Sequence, residues 1–558
     1  MFDQLTRRSF LRVGAGAGIV ATFGGLARWP TVASAADGNQ QRPSPGRLIL
    51  NDDGHVFLNL SDDLHKDNLR RYLQSYCRPG VDTVAYCVGD MSWPTLYPTQ
   101  VGKQRVSTPA ASDDLRKVRT SRNLAILDRE PGGYFGAVFS ILRELGKKAV
   151  ASFRMNDAHF TSPDNPNVSQ FWKEHHHLIL GSAYGYYGGC LNYEHEVVRE
   201  HFFQRVVEFA KLYPQIDGID LDAMRSPYFF PPGKGQAFAP RFTDLVRRIK
   251  SALAEQAKRL NRPEYLLTIN VPLTPELALE SGLDVAAWDA ERLFHSISVG
   301  PYQAYMNHPL DRWKKLLKHG TPVLAYVGCS PQTGQYLGLE EYRAAAANAY
   351  GGGADGICLF NYPCLFELAL QRPAPADAVP TDLPDLRAVR QGDFSRVAGV
   401  LDELGSPERL RGKDKRFLFY FSEHSGYRHH DPDRASLKRS AANARLQATL
   451  RCYEEYDRAK CIRLRFKLEH VMRDEQFAAS LNGQPITPDQ QQVRYAANGR
   501  DTRVHTVTLG PYLEYELTLR PSQLRRGENL LEVAPTRLRP ELATTIQLRE
   551  IELEVRYA

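Results

Sequence analysis

The sequence predicts an α/β protein, in which a (β/α)8 TIM barrel is followed by a C-terminal antiparallel β-sandwich of jelly-roll type. From residue 48, short apolar runs alternate with longer amphipathic runs, and this alternation repeats eight times in about 310 residues. Strands separated by helices pair in parallel, and eight such units close into a barrel. A doubly wound open sheet is the alternative, although it usually has fewer strands. From about Lys415, strand-like runs continue without long helices, and this change predicts the sandwich.

Each predicted barrel unit joins a strand-like apolar run to a run with helical periodicity. In order, strand before helix, the units are HVFLNLS with DLHKDNLRRYLQSY, VDTVAYCVG with YFGAVFSILRELG, KKAVASFRM with HEVVREHFFQRVVEFAKLY, IDGIDLDAM with APRFTDLVRRIKSALAEQAKRL, YLLTINVPL with LDVAAWDAERL, FHSISVG with HPLDRWKKLLKHG, TPVLAYVG with LEEYRAAAANAYGGG, and ADGICLFNYP with a closing helix after a Pro-rich connector. The predicted strands of the sandwich are RFLFYFS, CIRLRFKLE, FAASLNGQPI, VHTVTLG, LEYELTLR, NLLEVAP and TIQLREIELEVRYA.

The N-terminus carries Arg7 and Arg8, then a Gly-rich apolar run and the small-residue pattern Ala33-Ser34-Ala35. This resembles the twin-arginine export signal of bacteria, which implies the Tat export machinery as a partner and a periplasmic or secreted location. A retained membrane anchor is the alternative, but a spanning helix needs about 20 apolar residues. The predicted divisions are a signal peptide at 1–35, a flexible lead-in at 36–47, the barrel at 48–371, a connector with a closing helix at 372–414 and the sandwich at 415–558.

Composition argues against several classes of function. The formal net charge is +7, and four arginines against one aspartate in the signal reduce it to about +4 for the mature chain. That excess is too small to indicate nucleic-acid binding. Eight cysteines form no C-x-x-C pair, and their spacing does not reveal any disulfide pairing. Beyond the signal, no stretch is apolar and long enough to predict a membrane span.

The fourth predicted strand, IDGIDLDAM, holds three carboxylates among apolar residues. Because side chains alternate faces along a strand, Asp220 and Asp222 share the face that points into the barrel, while Ile219 and Leu221 face the helices. Two neighbouring carboxylates lose hydration and repel each other, so each needs a donor or acquires a raised pKa. This arrangement suits acid–base chemistry in an open cleft. A structural role, in which an arginine neutralises Asp220, is the alternative.

The stretch DGIDLD resembles the fourth-strand signature D-G-x-D-x-D-x-E of glycoside hydrolase family 18, the chitinases, although the general-acid glutamate of that family falls on Met224. DGIDLDAMR is also similar to the fourth strand of the α-amylase type, and that resemblance places a nucleophile at Asp222. A looser resemblance, over about residues 48–370, is to the family-10-like glycosyl hydrolases of bacteria, exported barrels with a DGIxxD strand and a phrase like GLDVAAWDAERLFHSISVG. These resemblances imply a carbohydrate substrate.

Polar residues follow the third predicted strand in ASFRMNDAHF, namely Arg154, Asn156, Asp157 and His159. Polar side chains at the C-terminal ends of barrel strands are typical of a substrate site. Asp157 is the best candidate for a second carboxylate, because it lies on the strand next to Asp222. Hydrolysis of a glycosidic bond needs two carboxyl groups, about 5 Å or about 6.5–9.5 Å apart. An Asx turn in MNDAH is the alternative role for Asp157.

Further candidate substrate contacts lie at strand ends and in two long loops, which follow the second and third strands. They are Tyr86, Trp93, Arg225, Asn270, Tyr326 and Asn361. Amides and hydroxyls can hydrogen-bond a sugar, but polar closure of the barrel mouth is the alternative for each of them. The adjacent histidines at 175–177 and 429–430 rarely share one metal geometry, and H-E-x-x-H is absent. We therefore expect no metal and no other cofactor.

The sequence thus predicts an exported glycoside hydrolase that cleaves O-glycosidic bonds in a poly- or oligosaccharide. In this hypothesis Asp222 is the nucleophile or base, Asp157 is the general acid, and Asp220 tunes or replaces one of them. A non-catalytic carbohydrate-binding or cell-surface protein on a degenerate barrel is the main alternative, and Met224 favours it. A lyase or a deacetylase is a third option. The sandwich is expected to pack on the barrel or to bind carbohydrate.

Overall fold

The computed structural model describes residues 44–54, 56–59, 64–102, 115–159, 161–165, 168–301, 304–328, 337–370, 388, 393–419, 435–440, 445–500 and 508–557. The predicted signal peptide, the first part of the lead-in and about half of the predicted connector lie outside these residues.

Eight parallel strands form the barrel. They are β1 (Leu48–Asp52), β2 (Thr83–Asp90), β3 (Lys148–Arg154), β4 (Gly218–Asp222), β5 (Leu266–Val271), β6 (Ser296–Val299), β7 (Val323–Gly328) and β8 (Gly356–Phe360). Each strand pairs with the next, and β8 pairs in parallel with β1, so the sheet closes. This closure excludes the open-sheet alternative and confirms the predicted (β/α)8 barrel.

Helices occupy the connections between the strands and surround the barrel. Their bounds are Val56–Asn59 and Lys66–Tyr76 after β1, Leu115–Leu127 and Gly133–Glu144 after β2, Gln170–Glu174 and Glu196–Leu212 after β3, Gly235–Arg259 after β4, Pro275–Glu280 and Val285–Ala290 after β5, Leu310–Leu316 after β6, Leu339–Gly351 after β7, and Cys364–Leu370, Ser395–Leu404 and Pro407–Leu410 after β8. The long helix after β4 buries Phe242, Val246, Ile249 and Leu253, whose spacing forms one apolar stripe.

The first strand begins earlier than the sequence predicts. HVFLNLS is not β1, because β1 is LILND and Val56–Asn59 forms a single helical turn. Both runs are short and apolar, so periodicity alone does not separate them. Gly54 turns the chain away from the barrel with φ 69°, and a Cβ there would lie 2.6 Å from the carbonyl oxygen of Cys87. The end of β1 therefore carries Asn51, Asp52 and Asp53 to the barrel mouth.

The barrel strands bury side chains on both faces. In β4, Ile219 and Leu221 join the main apolar core beneath the helices, whereas Asp220 points into the barrel, as predicted. A smaller apolar cluster fills the interior and includes Ile49, Ala85, Val150, Leu266, Leu324, Tyr326, Cys358 and Phe360. Beside it lies a cavity whose polar lining comes from Thr83, Asp220, Thr268, Asn270 and Ser298. Its open space of about 10 Å³ admits about one water molecule.

The C-terminal region is antiparallel, as predicted. Its strands are β9 (Lys415–Leu418), β10 (Ser436–Lys438), β11 (Leu446–Cys452), β12 (Cys461–Glu469), β13 (Gln476–Leu481), β14 (Gln484–Pro485), β15 (Gln491–Ala496), β16 (Gly499–Arg500), β17 (Thr508–Leu509), β18 (Tyr512–Thr518), β19 (Gly527–Arg537) and β20 (Thr545–Arg556). One sheet has the order β10-β20-β12-β18-β15, with β9 also paired to β20, and a second has the order β11-β19-β13-β14. Strands β16 and β17 form a separate pair.

A search of the described helices for one of sufficient length and hydropathy to cross a bilayer found none.

Candidate active site at the barrel mouth

The candidate site is built on β3 and β4, whose side chains line up across the sheet. Ser152 is in register with Asp220, and Arg154 is in register with Asp222. On the other side of β4, Asp220 faces Thr268 and Asp222 faces Asn270. The alternation within both strands therefore stacks two polar layers inside the barrel, with Asp222 one layer nearer the mouth than Asp220.

Asp220 is held in the deeper layer by neutral donors. The Ser152 hydroxyl donates to its Oδ2 at 2.8 Å, and the Thr268 hydroxyl donates to its Oδ1 at 2.7 Å. Asn270 Nδ2 lies 3.5 Å from Oδ2. Burial raises the pKa of Asp220, and the two hydroxyl donors oppose that rise. Both carboxylate oxygens of Asp220 therefore accept hydrogen bonds from side chains of the barrel wall.

Asp222 lies nearer the mouth and is less constrained. Its Oδ1 accepts hydrogen bonds from the backbone amides of Met224 at 3.0 Å and Arg225 at 3.2 Å. Its Oδ2 accepts no hydrogen bond from any described residue. Burial, followed by the charge of Asp220, raises the pKa of Asp222 to about 6, although Arg154 and Arg225 oppose this. Asp222 thus combines a raised pKa with one oxygen that the fold does not use.

Asp157 has the opposite environment. Arg154 Nη1 donates to its Oδ2 at 3.1 Å, and Arg225 Nε lies 3.3 Å from the same oxygen. The His159 backbone amide donates to Oδ1 at 3.0 Å, and the His159 ring also contacts Oδ1. Burial alone would raise the pKa of Asp157, but Arg225, His159 and Arg154 outweigh it and hold that pKa well below its usual value. A carboxyl that stays ionised cannot donate a proton, so this environment does not suit the general-acid role predicted for Asp157.

Asp53 belongs to this cluster, although it is not among the residues that the sequence predicts. The Arg154 Nη2 group pairs with Asp53 Oδ1, and the side chains of Arg154 and Asp53 are 7% and 2% exposed. The prediction misses Asp53 because it places the first strand too late in the sequence. The signal is present as LILNDDG, a short apolar run that ends in two carboxylates.

Asp90, at the end of β2, is a second acidic residue that the sequence analysis does not select. Its Oδ1 accepts from the Ser92 amide at 2.6 Å, the Ser92 hydroxyl at 2.9 Å and the Trp93 amide at 2.9 Å. Burial and the charge of Asp157 raise the pKa of Asp90 to about 6. Asp90 therefore caps the loop that carries Trp93, and the Trp93 side chain is half-buried beside it.

Several predicted substrate contacts make hydrogen bonds within the fold instead. Asn156 Nδ2 donates to the carbonyls of Leu191 at 2.9 Å and Tyr228 at 2.7 Å, and its Oδ1 accepts from the Leu191 amide at 2.9 Å. These bonds join two loops of the mouth. The Tyr86 hydroxyl contacts the Tyr134 hydroxyl in a fully buried position.

Tyr326 and Asn361, two more of the predicted contacts, are also buried. The Tyr326 ring stacks on Phe360 at 5.6 Å inside the barrel. Asn361 follows β8 with φ 59°, and its amide donates to the carbonyl of Asn51 at 3.0 Å. At 0% and 4% exposed, neither residue is presented at the surface of the mouth.

Burial distinguishes the carboxylates from their partners. Asp220 and Asp222 are 4% and 1% exposed, whereas the side chains of Arg225 and His159 are 13% and 27% exposed. The sequence analysis predicts an open cleft around the acids, and this expectation is wrong, because side chains of the mouth cover both carboxylates. Arg225 and His159, which both contact Asp157, are thus more exposed than the acids.

Aromatic residues from two loops form one edge of the mouth. Tyr184 and Tyr187 lie 4.7 Å and 4.9 Å from Tyr228, measured between ring centroids. The Tyr184 hydroxyl donates to the carbonyl of Phe230 at 2.8 Å, which fixes the loop after β3 to the segment after β4. All three rings pack against the apolar cluster of the barrel interior.

No group of three or more His, Cys, Asp or Glu residues in the described ranges is arranged to hold a metal ion. His176 and His177 lie in a short 3-10 helix, His176–Leu178, and both are exposed. Their ring centroids are 6.4 Å apart in an edge-on arrangement.

No protein-family model matches the sequence, and no curated protein matches it. Among solved structures, a maltogenic α-amylase of Thermotoga neapolitana aligns over 88% of this chain and 98% of its own, at 10% identity and a TM-score of 0.36. A bacterial fucosidase aligns over 91% and 97%, at 11% identity and a TM-score of 0.34. A family GH18 chitinase of Cycas revoluta aligns over 65% and 100%, at 12% identity and a TM-score of 0.34. Similarity at this level does not establish an activity for this chain.

Proposed function

We propose that this chain is a glycoside hydrolase that cleaves O-glycosidic bonds in a poly- or oligosaccharide by a two-carboxylate mechanism. One observation carries the proposal. Asp222 lies in the polar layer nearer the barrel mouth, with a raised pKa and an Oδ2 that accepts no hydrogen bond from a described residue. Asp157, which is linked to Asp222 through Arg225, stays ionised. Pairs of titratable groups whose pKa values are pushed apart are typical of an acid and its charged partner.

The environments of the two carboxylates reverse the roles expected from the sequence. Asp222 is the general acid, because burial and Asp220 keep its proton available up to a pH of about 6. Asp157 is the ionised partner, which stabilises the positive charge that develops on the sugar as the bond to the leaving oxygen breaks and that oxygen takes the Asp222 proton. A water molecule then bonds to the anomeric carbon, and the proton that it releases restores Asp222 to its acid form. Arg154, Arg225 and His159 fix the orientation of Asp157 through the contacts described above.

The test is hydrolysis of a panel of polysaccharides by the wild type and by Asp222→Asn. We expect the wild type to release reducing sugar and the variant to be slower by about 10²–10⁴-fold, the usual contribution of a general acid. Asp311→Asn is the matched control, because Asp311 is an exposed carboxylate whose side chain is 54% exposed. Circular dichroism must show that all three proteins are folded. Equal rates for the wild type and Asp222→Asn would refute the assignment.

A non-catalytic saccharide-binding protein is the second candidate. Met224, where the family 18 resemblance expects an acid, is fully buried, and the acids of the mouth are covered. This candidate predicts that the wild type and Asp222→Asn bind glycans equally and that neither releases reducing sugar. An unsaturated or deacetylated product, detected by mass spectrometry, would instead indicate a lyase or a deacetylase.

We also propose export by the twin-arginine pathway, on the basis of Arg7, Arg8 and the Ala33-Ser34-Ala35 pattern. Replacement of both arginines by lysine in the full chain should retain the protein in the cytoplasm of the producing cell. Cell fractionation and the mass of the mature N-terminus measure this. Normal export of the double-lysine variant would contradict the proposal.

A further inference from the structure

We propose that Asp53 is a positioning residue that fixes the Arg154 guanidinium beside Asp222 and so sets the charge that Asp222 faces. The inference rests on the proposed function, in which Asp222 is the general acid. Asp53 lies directly after β1 and Arg154 ends β3, so the contact joins elements that are 101 residues apart in the chain. Any effect of Asp53 on Asp222 is therefore exerted through Arg154.

Two carboxylates each contact one terminal nitrogen of the Arg154 guanidinium. The Nη2 group pairs with Asp53, and the Nη1 group donates to Asp157 at 3.1 Å. The strand register places Arg154 opposite Asp222. A guanidinium that is held at both nitrogens has little freedom to turn, because its donors form a rigid planar fork. Arg154 consequently acts on Asp222 as a fixed charge.

In the described part of the chain, the ionisable groups that interact electrostatically with Asp222 include four, on three strands and one loop. They are Asp220 on β4, Arg154 on β3, Cys358 on β8 and Arg225 in the loop after β4. Asp220 opposes ionisation of Asp222, and the two arginines favour it. Arg154 itself also faces Asp53, Asp157 and Cys87.

Asp53 therefore neutralises part of the charge that Arg154 presents to the acid. If Asp53 loses its charge, Arg154 favours the ionised form of Asp222 more strongly. Asp222 then gives up its proton at a lower pH. A residue that only filled space at this position would have no such effect, so the titration of Asp222 separates an electrostatic role of Asp53, exerted through the fixed Arg154, from a space-filling one.

The experiment is a pH titration of the Asp222 carboxyl in protein labelled with ¹³C at the aspartate carboxyls, with the Asp222 signal assigned from its loss in Asp222→Asn. We expect Asp53→Asn to move the titration midpoint down the pH scale by about 1. The pH at which kcat/KM declines on the alkaline side should move down by the same amount. Asp217→Asn is the matched control, because Asp217 accepts from the Ala149 amide at 2.8 Å at the opposite end of the barrel, and it should move neither quantity.

A midpoint that is unchanged or raised in folded Asp53→Asn would overturn the inference. If that variant does not fold, Asp53→Ser removes the same charge with less bulk and has the same expected effect on the midpoint. The titration requires no catalysis, so the two proposals fail separately. A wild type that hydrolyses no glycan while the midpoint still falls would defeat the proposed function alone. A fixed midpoint in an active enzyme would defeat only the role of Asp53.

Discussion

At neutral pH Asp222 is an ionised carboxylate in a buried position, next to the carboxylate of Asp220. Burial and this neighbour raise the pKa of Asp222 from 3.8 to about 6, so the folded chain binds the proton more tightly than the unfolded chain does. The contribution of Asp222 to stability is therefore fully present below pH 3.8 and is lost as the pH rises through 6. The surroundings that raise the pKa of Asp222 for its proposed role as an acid therefore make the folded chain less stable at neutral pH.

We expect Asp222→Asn to unfold at a higher temperature than the wild type at pH 7. The gain in the free energy of unfolding should be up to about 3 kcal/mol, because a tenfold change in proton affinity corresponds to about 1.4 kcal/mol. The asparagine keeps an oxygen for the amides of Met224 and Arg225. Thermal unfolding from pH 4 to pH 7 measures the difference, which should vanish near pH 4. A variant less stable than the wild type at pH 7 would contradict this account.

At the scale of elements, the position of the carboxylates depends on how closely β4 approaches β5. Gly218 begins β4 and is in register with Leu266. A Cβ at Gly218 would lie 2.5 Å from the carbonyl oxygen of Leu266, and backbone atoms cannot yield as a flexible side chain can. The glycine therefore permits the spacing that aligns Asp220 with Thr268.

Gly218→Ala should lower the free energy of unfolding by about 1–3 kcal/mol, the usual cost of overpacking a core. Urea unfolding measures the change. Gly399→Ala is the matched control, because Gly399 lies in the helix Ser395–Leu404 with open space where a Cβ would sit. Alanine is the better helix former, so the control should be neutral or slightly stabilising. Equal effects of the two substitutions would show that the close approach of β4 to β5 leaves room for a Cβ at position 218.

Several strands show where prediction from the local sequence pattern fails. The runs LILND and HVFLNLS have similar composition, and only pairing with both β2 and β8 makes the first of them β1. Strands β10, β11, β15 and β16 are also absent from the sequence prediction. The burial of β11 alternates strictly, and its sequence LQATLRC alternates apolar and polar residues in the same phase. The period-two signal of a strand is therefore present in the sequence, and the prediction overlooks it.

At the scale of the whole molecule, two asparagines of the barrel hold an edge strand of the sandwich. Among the described strands, β11 pairs with β19 alone, so its other edge has backbone groups that no described strand pairs. Asn307 donates to the carbonyl of Thr449 at 2.8 Å and accepts from the Arg451 amide at 2.9 Å. Asn348 donates to the carbonyl of Arg451 at 2.5 Å and accepts from the Tyr453 amide at 3.0 Å. The side-chain amides thus continue the ladder of the sheet and protect its edge.

The double substitution Asn307→Ala with Asn348→Ala should therefore weaken the attachment of the sandwich. Each lost amide leaves buried backbone groups unpaired, at a cost of about 1–3 kcal/mol. Differential scanning calorimetry should resolve two transitions, or one at a lower temperature, in place of the wild-type transition. Asn498→Ala, at an exposed turn of the sandwich, is the control and should change nothing. An unaltered thermogram for the double variant would mean that other contacts hold the two parts together.

Much of the candidate site can be predicted from short stretches of sequence. Strand periodicity identifies Asp220 and Asp222, and their place at the end of an apolar run identifies Arg154, Asp157 and His159. The structure brings these residues together with Arg225. Asp53 is missed because the first strand is assigned to HVFLNLS instead of LILND, whose end carries it. Its contact with Arg154, 101 residues away, appears only in the structure.

The sequence by itself determined the barrel, the antiparallel C-terminal region and the face on which Asp220 and Asp222 lie, because hydrophobic periodicity is a property of neighbours along the chain. Only the tertiary structure decided which carboxyl keeps its proton. Asp157 stays ionised between two arginines, and Asp222 has a raised pKa beside Asp220. A pKa depends on the charges and burial that surround a group in space, and here those groups come from separate strands and loops of the barrel.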